Sequence, residues 1–349
     1  MARDFYLQLA AAGARFPIGT DLVLHEQEDP EAVRLDGRRL GMVMASAAER
    51  YRAPLALPLM DLTLEKADIA RFFGVPEREA DSFHFEDPPA ADRVAAYIAA
   101  LDGPFAPRNR AHIESVRYIR ECTHLVPVGM AIGPLSLMTK LMADPITAVA
   151  MAGMGQDDDP AAQLAVRCLA LAEAAVRRAV AAQIAAGASA VLICEPAVNV
   201  VYLSPRQVKA NPELLERFAL GPDARLKQQL DQAGVDLIFH DCGELTTGLV
   251  RQLAERLDPV VLSLGSSRRL WEDAAVVPNH IVLYGNLPTR KFYSDADVAV
   301  EDAARMAAEL AARMRETRHP FILGSECDVL HVPEAAETIR RKVDAMLAG

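Results

Sequence analysis

The sequence predicts an α/β fold in the form of a single (β/α)8 TIM-type barrel. Short apolar segments rich in Val, Ile and Leu alternate with longer segments of helical periodicity, and no repeat or low-complexity linker divides the chain. Near-continuous apolar strands separated by helices indicate a parallel sheet with both faces covered. A chain of 349 residues has the length of one such barrel. We therefore predict one barrel domain over residues 1–349, with an N-terminal helical extension over roughly residues 1–50.

The predicted elements follow these segments in chain order. Strands are predicted at 55–60, 126–132, 190–194, 235–239, 260–264, 281–284 and 321–323, and helices include 163–186, 212–233, 245–257 and 297–317. In such barrels the chemistry takes place at the carboxyl ends of the strands. Polar residues and glycines follow the predicted strands at that end, namely Asp61, Gly133, Glu195, His240, Cys242, Gly285, Asn286 and Cys327. The sequence therefore predicts one functional rim.

Composition excludes several classes of protein. Lys and Arg total 37 against 48 Asp and Glu, a net charge of −11, so nucleic acid and anionic membranes are not expected partners. The five cysteines contain no CxxC pair, which favours a reducing compartment over a disulfide scaffold. No signal-peptide pattern and no membrane-spanning apolar segment is present. We expect a cytoplasmic enzyme, and the sequence leaves its oligomeric state open.

One imidazole and two thiols form the most informative set of residues. His240 and Cys242 follow the predicted strand 235–239, and Cys327 follows the predicted strand 321–323. If these strands are parallel neighbours, the three side chains converge at one edge of the sheet. Three such ligands with a fourth position open are typical of catalytic zinc. The alternative is that both cysteines are small core residues and that His240 binds the backbone.

Several motifs resemble those of the uroporphyrinogen decarboxylase superfamily, in that family's order. They are Leu57-Pro58-Leu59-Met60-Asp61-Leu62, Gly133-Pro134-Leu135-Ser136-Leu137, Glu195-Pro196-Ala197 with Leu203-Ser204-Pro205, Tyr284-Gly285-Asn286-Leu287-Pro288, and Leu323-Gly324 with Val332-Pro333-Glu334. The resemblance implies a uroporphyrinogen decarboxylase-like (β/α)8 barrel with a deep pocket at the carboxyl-terminal rim.

The sequence departs from the decarboxylases of this superfamily at two places. Their Arg-rich N-terminal segment, which grips the carboxylates of the substrate, is replaced by Ala14-Arg15-Phe16-Pro17-Ile18-Gly19, and the His of their Gly-His-Gly turn is replaced by Ser325. The His240-x-Cys242 and Cys327 pattern instead resembles the zinc-containing, corrinoid-dependent methyltransferase branch. That resemblance implies Zn²⁺ bound by these three residues and a corrinoid (cobalamin) supplied by a partner protein.

Four further residues are candidates for the site. Glu195 is predicted to be a catalytic residue, either as an additional zinc ligand or as a neighbour of the ligands. Asp61 is the other predicted catalytic residue: it matches the decarboxylase aspartate that binds pyrrole N–H groups, which implies a hydrogen bond to a substrate or to the periphery of the corrin ring, and the alternative is an N-cap of the following helix. Gly285 and Asn286 are predicted to shape the wall where the cofactor binds. The segment 263–269, with two arginines, either binds an anionic substrate group or is a solvated loop.

The leading hypothesis is a zinc-dependent methyltransferase that moves a methyl group between a corrinoid protein and a thiol or folate-type acceptor. The chain lacks the Asp-x-His-x-x-Gly pattern of cobalamin-binding modules, so the corrinoid is expected on a separate corrinoid-binding protein. The alternative enzyme is a uroporphyrinogen decarboxylase-type carboxy-lyase. A third hypothesis is a catalytically idle barrel that carries a corrinoid or tetrapyrrole.

Overall fold

The strands form one parallel sheet in sequential order. A computed structural model describes residues 3–348. Its seven strands are hydrogen-bonded in the order β1-β2-β3-β4-β5-β6-β7, and every pair is parallel. The strands are β1 (Leu55–Ala56), β2 (Val126–Ile132), β3 (Ala190–Cys194), β4 (Asp236–Asp241), β5 (Val261–Leu264), β6 (Val282–Leu287) and β7 (Phe321–Ser325). Sequential parallel order with helical crossovers is the order of a TIM-type barrel.

Helices occupy most of the chain between the strands. They are α1 (Arg3–Ala11), α2 (Thr20–Leu24), α3 (Pro30–Arg34), α4 (Gly37–Arg50), α5 (Leu64–Phe72), α6 (Ala91–Ala99), α7 (Pro107–Cys122), α8 (Pro134–Lys140), α9 (Pro145–Gly153), α10 (Pro160–Ala185), α11 (Pro205–Ala210), α12 (Glu213–Leu215), α13 (Gly221–Gln232), α14 (Thr247–Leu257), α15 (Leu270–Asp273), α16 (Val300–Thr317) and α17 (Ala336–Leu347). None of the helices in the described part of the chain is long and apolar enough to cross a membrane.

For most of the chain, the helices and strands lie where the sequence predicts them. The strands predicted at 126–132 and 190–194 have those bounds, and the strands at 236–241, 282–287 and 321–325 extend further toward the rim than predicted. The helix predicted at 212–233 is divided by a π-helical segment, Glu216–Leu220. The predicted strand 55–60 has only two residues in the sheet, because prolines at 54 and 58 flank it and lack a backbone N–H donor.

The predicted ring of eight hydrogen-bonded strands is not closed within residues 3–348. An irregular segment, residues 14–18, lies beside β7: the Phe16 N–H donates to the Leu323 carbonyl at 3.1 Å, and the Leu323 N–H donates to the Ala14 carbonyl at 3.3 Å. On the other side, the Thr20 hydroxyl donates to the Leu57 carbonyl at 2.7 Å. Pro17 has no N–H and β1 is short, so this segment does not extend a ladder to β1.

Apolar side chains fill the space that the strands enclose. Leu192, Ile238, Val261 and Ile322 come from four strands and face one common interior, together with Phe16 of the segment 14–18. The Tyr284 hydroxyl donates to the Phe16 carbonyl at 2.8 Å and so ties β6 to this segment. The sheet therefore wraps around a packed core, which leaves the ends of the strands as the place for a functional site.

A buried carboxyl group in α5 makes the stability of this fold depend on pH. Glu65 is fully buried, and burial raises its pKa to about 8. The folded protein keeps this proton at pH values at which the same carboxyl group in the unfolded chain has already lost it. The free energy of unfolding therefore decreases as the pH rises from about 4.5 to 8. We expect Glu65→Gln to stabilise the protein by about 2–4 kcal/mol at pH 8 and to change little at pH 5. Urea unfolding at both pH values measures this; equal effects at both would contradict it.

Candidate metal centre at the carboxyl ends of the strands

The structure brings His240, Cys242 and Cys327 together. Their possible ligand atoms all lie within 4.8 Å of one another, and no other such group of histidine, cysteine and acidic residues occurs among residues 3–348. The expectation that the two strands are neighbours is wrong: β5 and β6 lie between β4 and β7. Three strand spacings across a flat sheet are about 14 Å. The curvature of the sheet therefore closes this distance.

His240 is oriented so that one ring nitrogen is available to a ligand. The side chain is fully buried, and its Nδ1 lies 2.8 Å from the Ser263 hydroxyl of the adjacent strand β5. With Nδ1 as the donor in this bond, Nε2 carries the lone pair. Nε2 is buried and has no hydrogen-bond partner among the described residues. A buried acceptor without a partner is costly, and a metal ion would satisfy it.

Ser263 is a positioning residue that the sequence did not single out by itself, because its role depends on its register with His240. We expect Ser263→Ala to lower zinc affinity by about 10- to 100-fold, since it removes the bond that fixes the ring and its tautomer. Competition with a chromogenic chelator measures this. The control is Ser267→Ala, which removes a hydroxyl bonded to the Gly243 carbonyl instead. Equal zinc affinity in Ser263→Ala and the wild type would refute this role.

The two cysteines are coupled, and their surroundings favour a thiolate at Cys327. A hydrogen bond from Cys242 and the positive charge of the Arg290 guanidinium lower the pKa of the Cys327 thiol. The same hydrogen bond and burial raise the pKa of Cys242. Arg290 Nη2 donates to Cys242 Sγ at 3.1 Å. Negative charge on sulfur is therefore stabilised here, which is the state in which cysteine binds a metal.

These residues fit zinc. Two cysteine sulfurs and one imidazole nitrogen are preferred zinc ligands, and three protein ligands are typical of catalytic rather than structural sites. The unpartnered Nε2 of His240 and the closeness of the three possible ligand atoms are the two observations that support the fit.

The carboxylate of Glu195 is bound elsewhere. Its two oxygens accept hydrogen bonds from the Leu135 N–H at 3.0 Å and the Ser136 N–H at 2.6 Å, at the start of α8. Gly133 makes room for it, because a Cβ there would overlap with a carboxylate oxygen. Burial raises the pKa of Glu195 to about 7, although these bonds act against the rise. The structure does not group Glu195 with the three ligands, and its catalytic role stays a prediction.

Asp61 is also engaged by protein groups at the end of β1. One carboxylate oxygen accepts from the Thr63 N–H at 3.0 Å and the Thr63 hydroxyl at 2.6 Å, and the other accepts from Arg108 at 3.1 Å. The helix that follows begins at Leu64 with Thr63 in the N-cap position, so Asp61 supports the entry to α5 without being its N-cap. Contact of Asp61 with a substrate stays a prediction.

Gly285 and Asn286 hold the segment that follows β5. The Asn286 amide donates to the Gly265 carbonyl at 2.7 Å and to the Arg268 carbonyl at 2.9 Å. Gly285 has a φ of +127°, and a Cβ there would lie 3.1 Å from the Leu264 carbonyl oxygen. Gly285 thus occupies a position that requires glycine, and the Asn286 amide holds the segment after β5 in place. Together the two residues shape the wall of the site. Cofactor contact stays a prediction.

Glu326, next to Cys327, is a second clamp that sequence reasoning missed. Its carboxylate accepts from the Ser266 hydroxyl at 2.5 Å and the Arg290 N–H at 3.2 Å. It therefore links β7 to the segment that carries the Arg290 side chain. A lone acidic residue beside a predicted ligand gives no sequence signal for such a role.

The arginines after β5 are paired within the protein. Arg268 forms an ion pair with buried Asp273 and donates to the Leu245 carbonyl at 2.8 Å. Arg269 is exposed and donates to Glu272 at 3.1 Å. The structure thus shows an internally bonded loop where the sequence left a choice between an anion-binding segment and a solvated loop, and anion binding stays a prediction.

Comparison with known proteins identifies the class to which this fold and site belong. The sequence profile of the uroporphyrinogen decarboxylase (URO-D) family matches residues 43–346, and the chain belongs to that family. Among solved structures, the chain is similar to a methyltransferase from Methanosarcina mazei, with a TM-score of 0.67 and 15% identity over 99% of this chain and 98% of that one. At this identity the likeness concerns the fold. Curated proteins give no match in sequence.

Proposed function

We propose that this protein is a zinc-dependent methyltransferase that moves a methyl group between the corrinoid of a partner protein and a thiol or folate-type acceptor. The observation that carries the proposal is the convergence of His240, Cys242 and Cys327 at the carboxyl ends of β4 and β7. A methyltransferase among the structures of similar fold supports it. Ser325 supports it as well, because a serine stands at the place of the decarboxylase histidine. Its hydroxyl accepts a hydrogen bond from the Ile18 N–H at 3.0 Å.

The residues of the site prepare a thiol for attack. Bound zinc would lower the pKa of a substrate thiol below its free value of ~8.5 and hold the thiolate. His240 would bind the ion through Nε2, with Ser263 fixing its ring. Cys242 and Cys327 would supply two anionic ligands, so the sulfur of the substrate keeps its nucleophilicity. Arg290 would stabilise the negative charge of Cys242 in that state.

The transfer balances without a further reactant. With a thiol acceptor, the thiolate sulfur would form a bond to the methyl carbon while the bond from that carbon to the partner's corrinoid breaks, and the electron pair of that bond would stay with the corrinoid. The proton of the thiol goes to solvent. The chain carries no cobalamin-binding pattern, which supports delivery of the corrinoid by a partner protein at the rim.

Metal analysis and a methyl-transfer assay test the proposal together. We expect about one zinc per chain, and loss of the methylcobalamin spectrum when 2-mercaptoethanol, homocysteine or tetrahydrofolate is added to the zinc-containing protein. Full transfer by protein freed of zinc would overturn the proposal. So would decarboxylation of uroporphyrinogen by a zinc-free sample, which is the outcome that the alternative enzyme predicts, or tight corrinoid binding with no turnover.

A further inference from the structure

A cavity of about 480 Å³ lies at the other end of β7 from the metal centre. Its walls come from α1, α16 and the first residues of β7, and include Leu7, Ala10, Met314 and Phe321. Cavities of 300–1,000 Å³ are the size of small-molecule sites. Because Phe321 begins β7 and Cys327 lies beyond its end, this cavity is separate from the candidate metal centre.

The polar groups that line the cavity are cationic or neutral. Three arginines, Arg15, Arg315 and Arg318, contribute to the lining, and no carboxylate does so among the described residues. None of the three takes part in an ion pair with another described residue. Arg315 and Arg318 are exposed and Arg15 is half-buried, so the three form a local concentration of positive charge in a chain whose net charge is −11.

Arg15 is the most informative of these residues. Its Nη1 atom is buried and has no hydrogen-bond partner among residues 3–348. A buried, unpaired guanidinium nitrogen is expensive, since desolvation of a charge is not compensated by an acceptor. Because Nη1 is shielded from solvent, the guanidinium would turn toward the cavity to bind an oxyanion there, and it would break no hydrogen bond of Nη1 in doing so. Guanidinium groups match carboxylates and phosphates in geometry.

His319 is a second lining residue with a buried atom that lacks a hydrogen-bond partner, and this atom needs a donor rather than an acceptor. The residue is 5% exposed and lines the cavity, and its Nε2 lies 2.9 Å from the Ile281 carbonyl. A carbonyl only accepts, so Nε2 carries the proton and Nδ1 is an acceptor. Nδ1 is buried without a partner among the described residues. Because Nδ1 is shielded from solvent, the ring would have to shift slightly to offer this acceptor to a molecule in the cavity.

We propose that this cavity binds a small organic anion whose carboxylate or phosphate group pairs with the arginines and whose hydroxyl donates to His319. The short apolar part of the ligand would lie against Leu7, Ala10 and Met314. A metal ion does not suit the cavity, because three arginines would repel it. The inference is independent of the proposed methyltransferase, since it uses none of the residues of that site.

Calorimetric titration at constant ionic strength tests the proposal. The probes are 2-hydroxyhexanoate, hexanoate, hexyl phosphate and neutral 1-hexanol. We expect one of the anions to bind and the alcohol not to bind, and we expect 2-hydroxyhexanoate to bind more tightly than hexanoate. Arg15→Met and Arg318→Asn should each weaken anion binding at least tenfold, the loss of one charge-assisted pair. Asparagine tolerates the φ of +58° at position 318.

Two further variants keep the result interpretable. Arg315→Gln changes an exposed helical position and should fold normally if Arg15→Met does not. Arg305→Gln lies on the same helix but removes a partner of Asp302 outside the cavity, so anion binding should not change. Binding should also persist in Cys327→Ser. The proposal is overturned if no anion binds, if hexanol binds as tightly as the anions, or if Arg315→Gln and Arg318→Asn bind like the wild type.

Discussion

Cys327→Ala is expected to remove zinc and methyl transfer together. The substitution takes away the thiol whose pKa is lowered by Cys242 and Arg290, and leaves two ligands at the site. Loss of one thiolate should cost roughly 3 kcal/mol of zinc binding, on the order of a hundredfold in affinity. Elemental analysis after dialysis against a chelator measures the metal, and the methylcobalamin assay measures activity, which should fall below detection.

A matched control separates loss of the ligand from loss of a buried thiol. Cys168 is fully buried in α10, and burial alone raises the pKa of its thiol. Cys168→Ala should therefore lose some stability but keep zinc and activity. Circular dichroism verifies that Cys327→Ala is folded. Retention of one zinc per chain by folded Cys327→Ala would show that this cysteine is not a ligand.

Gly324→Ala is expected to produce a large loss of stability from a single methyl group. A Cβ at this position of β7 would overlap with Cζ of Tyr284, a buried side chain of the adjacent strand. The ring would have to move, and its hydrogen bond to the Phe16 carbonyl would break. We expect a decrease of about 3 kcal/mol in the free energy of unfolding, measured by urea denaturation.

A compensating substitution tests the cause. In Gly324→Ala combined with Tyr284→Leu, the smaller side chain leaves room for the new methyl group. The two changes should then destabilise the protein by less than the sum of their separate effects, a coupling of about 1 kcal/mol or more. Simple additivity would mean that contact with Tyr284 is not the source of the strain.

Local sequence patterns predicted much of the site because its residues directly follow strands. The apolar run 190–194 predicts both a strand and the position of Glu195 at its end, and the same holds for His240 after its run. What each side chain binds was not predictable in this way. The backbone N–H groups that donate hydrogen bonds to the Glu195 carboxylate belong to residues 60 and 59 positions away in the chain, at the start of α8. Their proximity follows only from how β2 and β3 pair.

Residue type and spacing within short segments were enough to establish the parallel α/β class, the family, and the set of residues able to bind a metal. The geometry of the site depends instead on contacts between distant segments. Folding brings His240 and Cys242 to Cys327 across two intervening strands, and it places Ser263 and Arg290 beside them as partners. These contacts follow from the curvature of the sheet and the direction of side chains, which are set by packing between parts of the chain that no local pattern connects.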